Sequence, residues 1–310
     1  MILTVTPAPA LDLTLEIEQL VVGKINRSNT SIQEASGKGV NVSWALHRGG
    51  IRTLALFPAG GTGAAVMAQA LSGAQLPHRI VPITAELRTN VTLRPETGDE
   101  TKINSPGSPL TEAEMAQFFT AISEELVEAT EVVISGSVPL GAPATLHAEI
   151  VRLARKAGVR TLVDTSGPAL LESLDSRPDV ITPNIHELAE MSREPLKTMS
   201  DTVVACQKIL DRGVGMVVVS MGATGALLVT GETVLWGRAE GVRFVNSVGA
   251  GDALLAGLVC GGSDLVHSLS TAIWWASSAV ESPGTLFSLN PALRSRVSVT
   301  TEIPLSAVVN

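Results

Sequence analysis

The 310-residue sequence contains no tyrosine, only 3% aromatic residues and only 17% charged residues. The absence of tyrosine excludes a phenol as the acid or base of a reaction. The five histidines are scattered along the chain, which argues against a histidine-ligated metal site. The two cysteines, Cys206 and Cys260, lack the spacing of a metal site, so we expect free, buried thiols in a cytoplasmic protein.

Long apolar runs and basic clusters are also missing. No stretch approaches the length that spans a bilayer, and no positive side chain precedes Lys24, so we expect neither a membrane segment nor a secretion signal. The net charge is −8, and the sequence contains no cluster of basic residues, so nucleic acid is not expected as a partner. The apolar content of 45% excludes a disordered chain. In such an acidic protein, any bound anion must be met by a few isolated lysines or arginines.

Strands and helices alternate along most of the chain, which predicts right-handed βαβ units and a parallel sheet covered on both faces. The predicted strands of this sheet are residues 2–6, 53–57, 131–135, 161–164, 180–182 and 216–220. The helices between them are predicted at residues 40–47, 64–71, 111–126, 144–157 and 201–212. Ligands of such sheets bind beyond the carboxyl ends of the strands, so the polar residues that follow strands should converge. These are Ser135, Ser137, Asp164, Asn184, Ser220 and Asp252.

A second, smaller sheet is predicted from strictly alternating segments. Residues 11–18 alternate apolar and polar side chains, and residues 88–95 and 100–104 are further strands joined by a Gly98-Asp99 turn. We expect these strands to be inserted, at about residues 11–34 and 88–105, into one domain that spans residues 1–310.

A glycine-rich segment late in the chain predicts an anion site. Ser247-Val248-Gly249-Ala250-Gly251-Asp252 precedes the apolar run 253–259, which is expected to be helical. Two glycines around one small residue let successive N–H groups face one concavity at a helix N-terminus, where negative charge is favoured. Asp252 then stands beside the anion, where it could take a proton from a hydroxyl. The alternative is that Asp252 is an ordinary helix N-cap.

The motifs that precede this segment make the prediction more specific. They are Gly37-Lys38-Gly39-Val40-Asn41, Ser135-Gly136-Ser137-Val138-Pro139, Thr182-Pro183-Asn184-Ile185-His186-Glu187 and Ser220-Met221-Gly222-Ala223-Thr224-Gly225. In this order, and together with Gly249–Asp252, they resemble the ribokinase-like (PfkB) family of sugar kinases over residues 2 to about 287. The resemblance is greatest to the branch that phosphorylates phosphosugars. It implies a three-layer α/β/α fold with a mostly parallel central sheet and a small β-sheet lid.

The resemblance also implies roles for individual residues. Asp252 matches the base, and Gly249, Ala250 and Gly251 match the anion hole for the transferred phosphoryl group. The positions that match the nucleotide site are Asn184, Glu187, Ser220, Gly222, Gly225 and Ser247, with Glu187 acting on Mg²⁺ through water. The positions that match the sugar site are Asp12, Gly37, Asn41 and Ser137. Without the resemblance, Asn184 and Glu187 could simply begin a helix, and Asp12, Ser220, Gly222 and Gly225 could be ordinary turn residues.

Two cations match positions that this branch uses for the phosphate of the acceptor, namely Lys38 and Arg88, although solvated surface charge is the alternative. The implied activity is ATP- and Mg²⁺-dependent phosphorylation of a ketohexose monophosphate to a bisphosphate. Fructose 1-phosphate is the first choice, before fructose 6-phosphate and tagatose 6-phosphate. A sugar-phosphate sensor without catalysis would be expected to lose Asp252 or a glycine of the anion hole. A nucleoside kinase would have no use for Lys38 and Arg88.

The resemblance further implies a homodimer formed through the lid, with Lys24 in the accessory strands reaching the neighbouring subunit. The chain departs from the family at three places. Ala8 stands where asparagine is frequent, Thr182 stands where lysine touches nucleotide phosphate, and Ser282-Pro283-Gly284-Thr285 lacks an asparagine on the adenine side.

Overall fold

Two β-sheets and ten helices are present in the computed structural model, which describes residues 1–282, 284 and 286–309. Of the segment Ser282-Pro283-Gly284-Thr285, Pro283 and Thr285 therefore lie outside the described residues. In chain order the strands are β1 (Ile2–Val5), β2 (Ala10–Ile17), β3 (Ser28–Ser36), β4 (Thr53–Ala59), β5 (His78–Pro82), β6 (Thr89–Pro95), β7 (Thr101–Ile103), β8 (Glu131–Ser135), β9 (Arg160–Asp164), β10 (Val180–Ile181), β11 (Met216–Ser220), β12 (Ala226–Val229), β13 (Val234–Ala239) and β14 (Val297–Thr300).

The helices are α1 (Lys38–Arg48), α2 (Gly61–Gly73), α3 (Glu112–Leu126), α4 (Leu146–Lys156), α5 (Gly167–Leu174), α6 (Ile185–Ser192), α7 (Met199–Leu210), α8 (Ala250–Cys260), α9 (Leu265–Val280) and α10 (Pro291–Arg294). The sequence placed the start of α7 at Asp201, but the helix begins at Met199. The reason is a capping box in which the Thr198 hydroxyl accepts from the N–H of Asp201 and the Asp201 carboxylate accepts from the N–H of Thr198.

The main sheet has the strand order β14-β13-β12-β11-β10-β9-β8-β1-β4-β5. The six predicted strands β1, β4, β8, β9, β10 and β11 are parallel, as expected. The strand β5, which was not predicted, pairs in parallel with β4 at one edge, and β12, β13 and β14 extend the other edge by antiparallel pairing, which the patterns did not indicate. The small sheet has the order β3-β2-β6-β7, in which β2 pairs in parallel with β6 and the other pairs are antiparallel.

The main sheet is covered on both faces, which explains why its central strands are mainly apolar. Along β11, Val217 and Val219 belong to one core and Val218 belongs to the other. One core also contains side chains of α3, α4, α6 and α7, and the other contains side chains of α1, α8 and α9. The three-layer α/β/α fold is therefore confirmed.

The strand order reverses between β1 and β8, since the chain continues from β1 towards β5 on one side and from β8 towards β11 on the other. Open α/β sheets bind ligands at such a point, outside the carboxyl ends of the strands. The small sheet is attached at the same end, because residues 6–9 lead directly from the end of β1 into β2. Within the described residues, no helix is long and apolar enough to cross a membrane.

Candidate active site

Helix α8 begins with the predicted glycine motif, but the two glycines have different conformations. Gly249 is the N-cap residue, with a φ of 76° that favours glycine, whereas Gly251 lies inside the first helical turn. A Cβ atom added at Gly251 would meet no atom within 4 Å, so open space lies in front of this turn. Asp252 is the third helical residue, and its interpretation as the N-cap is therefore wrong.

The Asp252 carboxylate is buried, with a relative exposure of 6%. Its Oδ2 accepts a hydrogen bond of 2.7 Å from Nδ2 of Asn41. Burial raises the pKa of Asp252 to about 7, and the charge of Asp164 acts in the same direction, while Lys38 and the Asn41 hydrogen bond oppose it. A carboxylate with a pKa near neutrality accepts a proton from a hydroxyl more readily than an ordinary aspartate does.

Lys38 begins α1, directly after its N-cap residue Gly37. Its Nζ lies 3.3 Å from Oδ1 of Asp164, the last residue of β9. The other carboxylate oxygen of Asp164 accepts a hydrogen bond of 2.8 Å from the Ser135 hydroxyl at the end of β8. Lys38 is therefore not an unpaired surface charge, because its ammonium contacts a buried carboxylate, although its side chain is 43% exposed.

Asp12, in β2 of the small sheet, is fixed by two neighbours. Its Oδ2 accepts from the Ser36 hydroxyl at 2.6 Å, and its Oδ1 accepts from Nδ2 of Asn90 at 2.9 Å. Ser36 directly precedes Gly37 and Lys38, so Asp12 lies beside the start of α1. Asn90 is a residue of this site that sequence reasoning missed, because an isolated asparagine in an alternating strand carries no distinctive signal.

The guanidinium of Arg88 is held by uncharged acceptors. Its Nη2 donates to the carbonyl of Ala8 at 2.7 Å, its Nε donates to that of Pro9 at 3.2 Å, and its Nη1 donates to that of Ser105 at 3.0 Å. Nη2 also lies 3.4 Å from the hydroxyl of Ser137. Burial lowers the pKa of Arg88, which remains a cation. Arg88 is therefore a fixed positive charge between the two sheets rather than a solvated side chain.

Asn184 and Glu187 form a capping box at the start of α6. The side-chain Oδ1 of Asn184 accepts from the main-chain N–H groups of His186 and Glu187, each at 2.9 Å. In return, Oε2 of Glu187 accepts from the main-chain N–H of Asn184 at 2.8 Å. Asn184 and Glu187 therefore do begin a helix, which is the structural role that the sequence offered as the alternative to a nucleotide site. Burial raises the pKa of Glu187, although the hydrogen bond from Asn184 opposes this shift.

The remaining nucleotide-site candidates lie along the same edge of the sheet. Ser220 ends β11 and pairs with Asn184 through a parallel bridge. Gly222 begins a short 3₁₀ turn that Gly225 ends, and Ser247 accepts a hydrogen bond from the N–H of Ala250 through its carbonyl. Strand β11 is three places from β8 in the sheet, so Ser220 and the turn after it lie to one side of the point at which the strand order reverses.

The donor set of the site fits a magnesium ion that is held mainly by phosphate oxygens and water. Across the described residues, no group of three or more histidine, cysteine, aspartate or glutamate side chains could hold a metal ion by itself. Magnesium retains several waters and needs only one or two carboxylates beside its phosphate ligands, so the absence of such a group does not conflict with a magnesium site, and Glu187 would be its outer carboxylate.

The polar residues that follow strands partly converge, as predicted. Asp164 contacts Ser135 and Lys38, and its charge acts on Asp252. Asp164 was among the residues expected to converge, but no role was predicted for it. Lys24 was placed in the accessory strands, but it lies in the connection between β2 and β3, because β2 already ends at Ile17.

Comparisons with known proteins show which family and which solved structures the chain is similar to. Residues 10–293 match the family described as pfkB family carbohydrate kinase. The chain is 34% identical over 261 residues to 1-phosphofructokinase of Bacillus subtilis strain 168, an alignment that covers 84% of this chain and 85% of that protein. It is 31% identical over 289 residues to ATP-dependent 6-phosphofructokinase isozyme 2 of Mycobacterium tuberculosis H37Rv, covering 92% and 85%. Phosphofructokinase-2 from Escherichia coli in complex with potassium has a TM-score of 0.88 and 28% identity, covering 95% of this chain and 97% of that chain.

Proposed function

Because the chain belongs to the pfkB family of carbohydrate kinases, we propose that it transfers the γ-phosphoryl group of ATP to a ketohexose monophosphate, with fructose 1-phosphate as the preferred acceptor. The observation that carries this proposal is the buried Asp252 carboxylate in the first turn of α8, whose pKa burial raises to about 7. The similarity to a 1-phosphofructokinase at 34% identity supports the choice of acceptor. Fructose 6-phosphate and tagatose 6-phosphate are the alternative acceptors.

The proposed reaction uses two kinds of group at the N-terminus of α8, the Asp252 carboxylate and the main-chain N–H groups that precede it. The acceptor hydroxyl oxygen forms a bond to the γ-phosphorus while the bond from that phosphorus to the β–γ bridging oxygen breaks, and ADP leaves with the electron pair. Asp252 takes the hydroxyl proton. The N–H groups of Gly249, Ala250 and Gly251 stabilise the charge on the transferred group, since the first N–H groups of a helix lack acceptors within it. The N–H of Ala250 first gives up its long bond of 3.3 Å to the Ser247 carbonyl.

The acceptor and the nucleotide occupy different neighbourhoods in this proposal. Asp12, Asn41, Gly37 and Ser137 hold the sugar, and Arg88 binds its phosphate, because a fixed guanidinium with uncharged neighbours keeps its charge for an anion.

The nucleotide lies along the ends of β10 and β11, against Asn184, Ser220, Gly222, Gly225 and Ser247. Magnesium, when bound with ATP, neutralises phosphate charge, with Glu187 as its outer carboxylate.

The small sheet is proposed to act as a lid on one kinase domain and to form a homodimer. The connection between β2 and β3 exposes Val22 (89%) and Ile25 (83%), and the sheet itself exposes Ile103 (55%) and Ile32 (45%). Large exposed apolar side chains are typical of a protein interface, and a second copy of this surface is the partner of matching chemistry. Replacing Val22 and Ile25 by aspartate should convert a dimer to a monomer in analytical ultracentrifugation. The free thiols of Cys206 and Cys260 fit the cytoplasm as the proposed location.

The decisive experiment measures kcat/KM for a panel of acceptors with ATP and Mg²⁺. The panel contains fructose 1-phosphate, fructose 6-phosphate, tagatose 6-phosphate, free fructose and a nucleoside. The proposal requires the highest value with fructose 1-phosphate. A preference for free fructose or for the nucleoside would overturn the phosphosugar assignment. Binding of a phosphosugar without any turnover would instead support the sensor.

A further inference from the structure

His147 is a buried titratable residue that the proposed reaction does not use. It lies fully buried in the first turn of α4, and its Nε2 is 2.9 Å from the carbonyl oxygen of Gly136. Burial lowers the pKa of His147 to about 4, although the hydrogen bond with Gly136 opposes this shift, so the imidazole is neutral near pH 7. Because a carbonyl oxygen can only accept, the proton of the neutral ring is on Nε2.

The other ring nitrogen of His147 indicates that this residue is more than a space-filling side chain. Its Nδ1 is buried and has no hydrogen-bond partner among the described residues. A buried nitrogen without a partner destabilises a folded protein, and a leucine of similar size would avoid that cost. The contact of Nε2 with Gly136 is therefore the feature that distinguishes His147 from an apolar residue at the same place.

The carbonyl of Gly136 is held by two side chains. Besides the contact with His147, it accepts from the hydroxyl of Thr165 at 2.8 Å, and Thr165 is buried as well. The N–H of Gly136 donates to the main-chain carbonyl of Asp164 at 2.9 Å. Gly136 has a φ of 102°, a conformation that glycine adopts readily. Both peptide groups of Gly136 are therefore fixed in orientation.

The peptide that joins Gly136 to Ser137 connects these contacts to the sugar side of the site. A trans peptide is planar, so its N–H points in the direction opposite to its carbonyl. The N–H of Ser137 is consequently directed away from His147 and Thr165, and it has no acceptor within the described part of the chain. Ser137 is exposed, and its hydroxyl is 3.4 Å from Nη2 of Arg88. An unpaired N–H, a hydroxyl and a guanidinium thus lie together, which is a set of donors that suits a phosphate.

We propose that His147 and Thr165 are positioning residues of the acceptor site, which fix the Gly136–Ser137 peptide so that its N–H faces the phosphate that Arg88 binds. This inference rests on the proposed function and adds two residues that do not touch the substrate. His147 donates its hydrogen bond throughout the reaction and neither gains nor loses a proton. Without it the carbonyl of Gly136 keeps one donor only, and the N–H of Ser137 is less firmly directed at the phosphate.

Steady-state kinetics with the best acceptor test this role. His147→Leu removes the donor and keeps an apolar side chain of similar size, so the KM for the phosphosugar should rise about tenfold, while the KM for ATP stays within about twofold and kcat within about threefold. His147→Gln should keep the KM for the phosphosugar within about threefold of the parent value, because its amide nitrogen can donate to the Gly136 carbonyl from the position of Nε2. An unchanged KM in His147→Leu, or a His147→Gln variant that is no better than His147→Leu, would overturn the proposal.

Two further variants separate positioning from stability. Ile150→Ala opens a cavity in the core on the same helix, so it should lower the melting temperature but leave the KM for the phosphosugar within about twofold. Thr165→Val removes the second donor to the Gly136 carbonyl with little change of shape, and it should raise the same KM as His147→Leu does. A rise in KM as large with Ile150→Ala would show that His147 is only a structural residue. An unchanged KM with Thr165→Val would overturn the part assigned to Thr165.

Nuclear magnetic resonance tests the same inference without turnover. In the parent, the ring nitrogen shifts of His147 should show the neutral Nε2–H form from about pH 8 down to about pH 5. Titration with inorganic phosphate should move the amide resonance of Ser137, and the apparent affinity should be at least about fivefold weaker in His147→Leu. A Ser137 amide that does not respond to phosphate in the parent, or that responds equally in the variant, would overturn the inference. A parent that shows the expected response but phosphorylates no sugar would refute the proposed function while still supporting the role of His147.

Discussion

The amide of Asn41 donates a hydrogen bond of 2.7 Å to Oδ2 of Asp252 and so joins the first turns of α1 and α8 across 211 residues of sequence. This bond occupies one oxygen of the carboxylate and fixes the direction of the other. It also favours the charged form of Asp252, which is the form that accepts a proton. Asn41 is therefore placed to control both the orientation and the protonation of the proposed base.

Asn41→Leu should move the acid limb of the rate to higher pH. The parent should lose kcat/KM as the pH falls through about 7, because protonated Asp252 cannot act as a base. Without the amide the pKa of Asp252 should rise further, so the limb should shift upward by about 0.5–1 unit. The acceptor phosphate itself titrates near pH 6 and must be fitted separately. An unchanged limb in the variant would show that Asn41 does not tune the base.

Asp252→Asn should lower kcat by about 10²–10⁴-fold, the usual contribution of a positioned general base. Asparagine is nearly isosteric, and Gly249 rather than Asp252 is the N-cap, so α8 should remain intact. Calorimetric binding of ATP should stay within about threefold of the parent value. A folded variant with the kcat of the parent would exclude Asp252 as the base.

The same substitution should stabilise the protein at neutral and alkaline pH. Since burial raises the pKa of Asp252 from 3.8 to about 7, the unfolded chain loses its proton at lower pH than the folded chain does. Asp252 therefore costs no stability below about pH 4, an increasing amount between pH 4 and 7, and on the order of 4 kcal/mol at most above that.

The melting temperature of Asp252→Asn, measured against that of the parent, should show a gain that grows from pH 4 to pH 7 and then levels off. The exposed control Asp211→Asn should show no such gain. A gain that shrinks as the pH rises would contradict the raised pKa.

The two glycines of the α8 motif should respond differently to alanine. Gly249→Ala forces a methyl-bearing residue to a φ of 76°, so the melting temperature should fall. Gly251→Ala adds a methyl group where no atom lies within 4 Å and where the backbone is helical, so stability should stay equal or rise by up to about 1 kcal/mol. Its kcat should nevertheless fall at least tenfold, because the methyl group occupies the space that the phosphoryl group needs. Unchanged kcat in Gly251→Ala would place the phosphoryl group elsewhere.

Arg88→Gln should raise the KM for the phosphosugar at least tenfold while it leaves the KM for ATP within about twofold. A charge-assisted contact with a phosphate is strong, and glutamine can replace some of the hydrogen bonds to Ala8 and Pro9 but not the charge. Ser105→Ala is the matched control, because only the carbonyl of Ser105 accepts from Arg88. Equal losses with phosphorylated and free fructose would place Arg88 away from the acceptor phosphate.

Six strands of the parallel part of the main sheet could be predicted from the sequence because each is a mainly apolar run that helical sequence separates from the next. The seventh, β5, could not, because His78 and Arg79 begin it and interrupt the apolar pattern. The edge strands β12, β13 and β14 could not, since β12 is a run of four apolar residues that fits a strand or a buried helix equally well. The family could be recognised from the motif residues because their order along the chain is distinctive, and the roles assigned to those residues stay a prediction.

The contacts of Arg88 and Asp164 could not be predicted for a physical reason. Arg88 is bound by main-chain carbonyls, and any residue type supplies a carbonyl. Asp164 contacts Lys38 across 126 residues of sequence, so no local pattern relates them. Only the rule that polar residues collect at the carboxyl ends of parallel strands pointed to Asp164.

The position of Arg88 has a mechanical consequence. The chain passes between the small sheet and the rest of the protein at residues 6–9, at Gly37, at residues 83–88 and at residues 104–111. Arg88 lies in the third of these connections and is bonded to carbonyls in the first and the fourth. Under the proposed function, a phosphate bound by the same guanidinium would compete with the bonds that join three of these four connections. Binding of the phosphate would then be coupled to the way the small sheet is held against the main sheet, and a substitution in one of these connections would change the apparent affinity for the phosphosugar without contacting it.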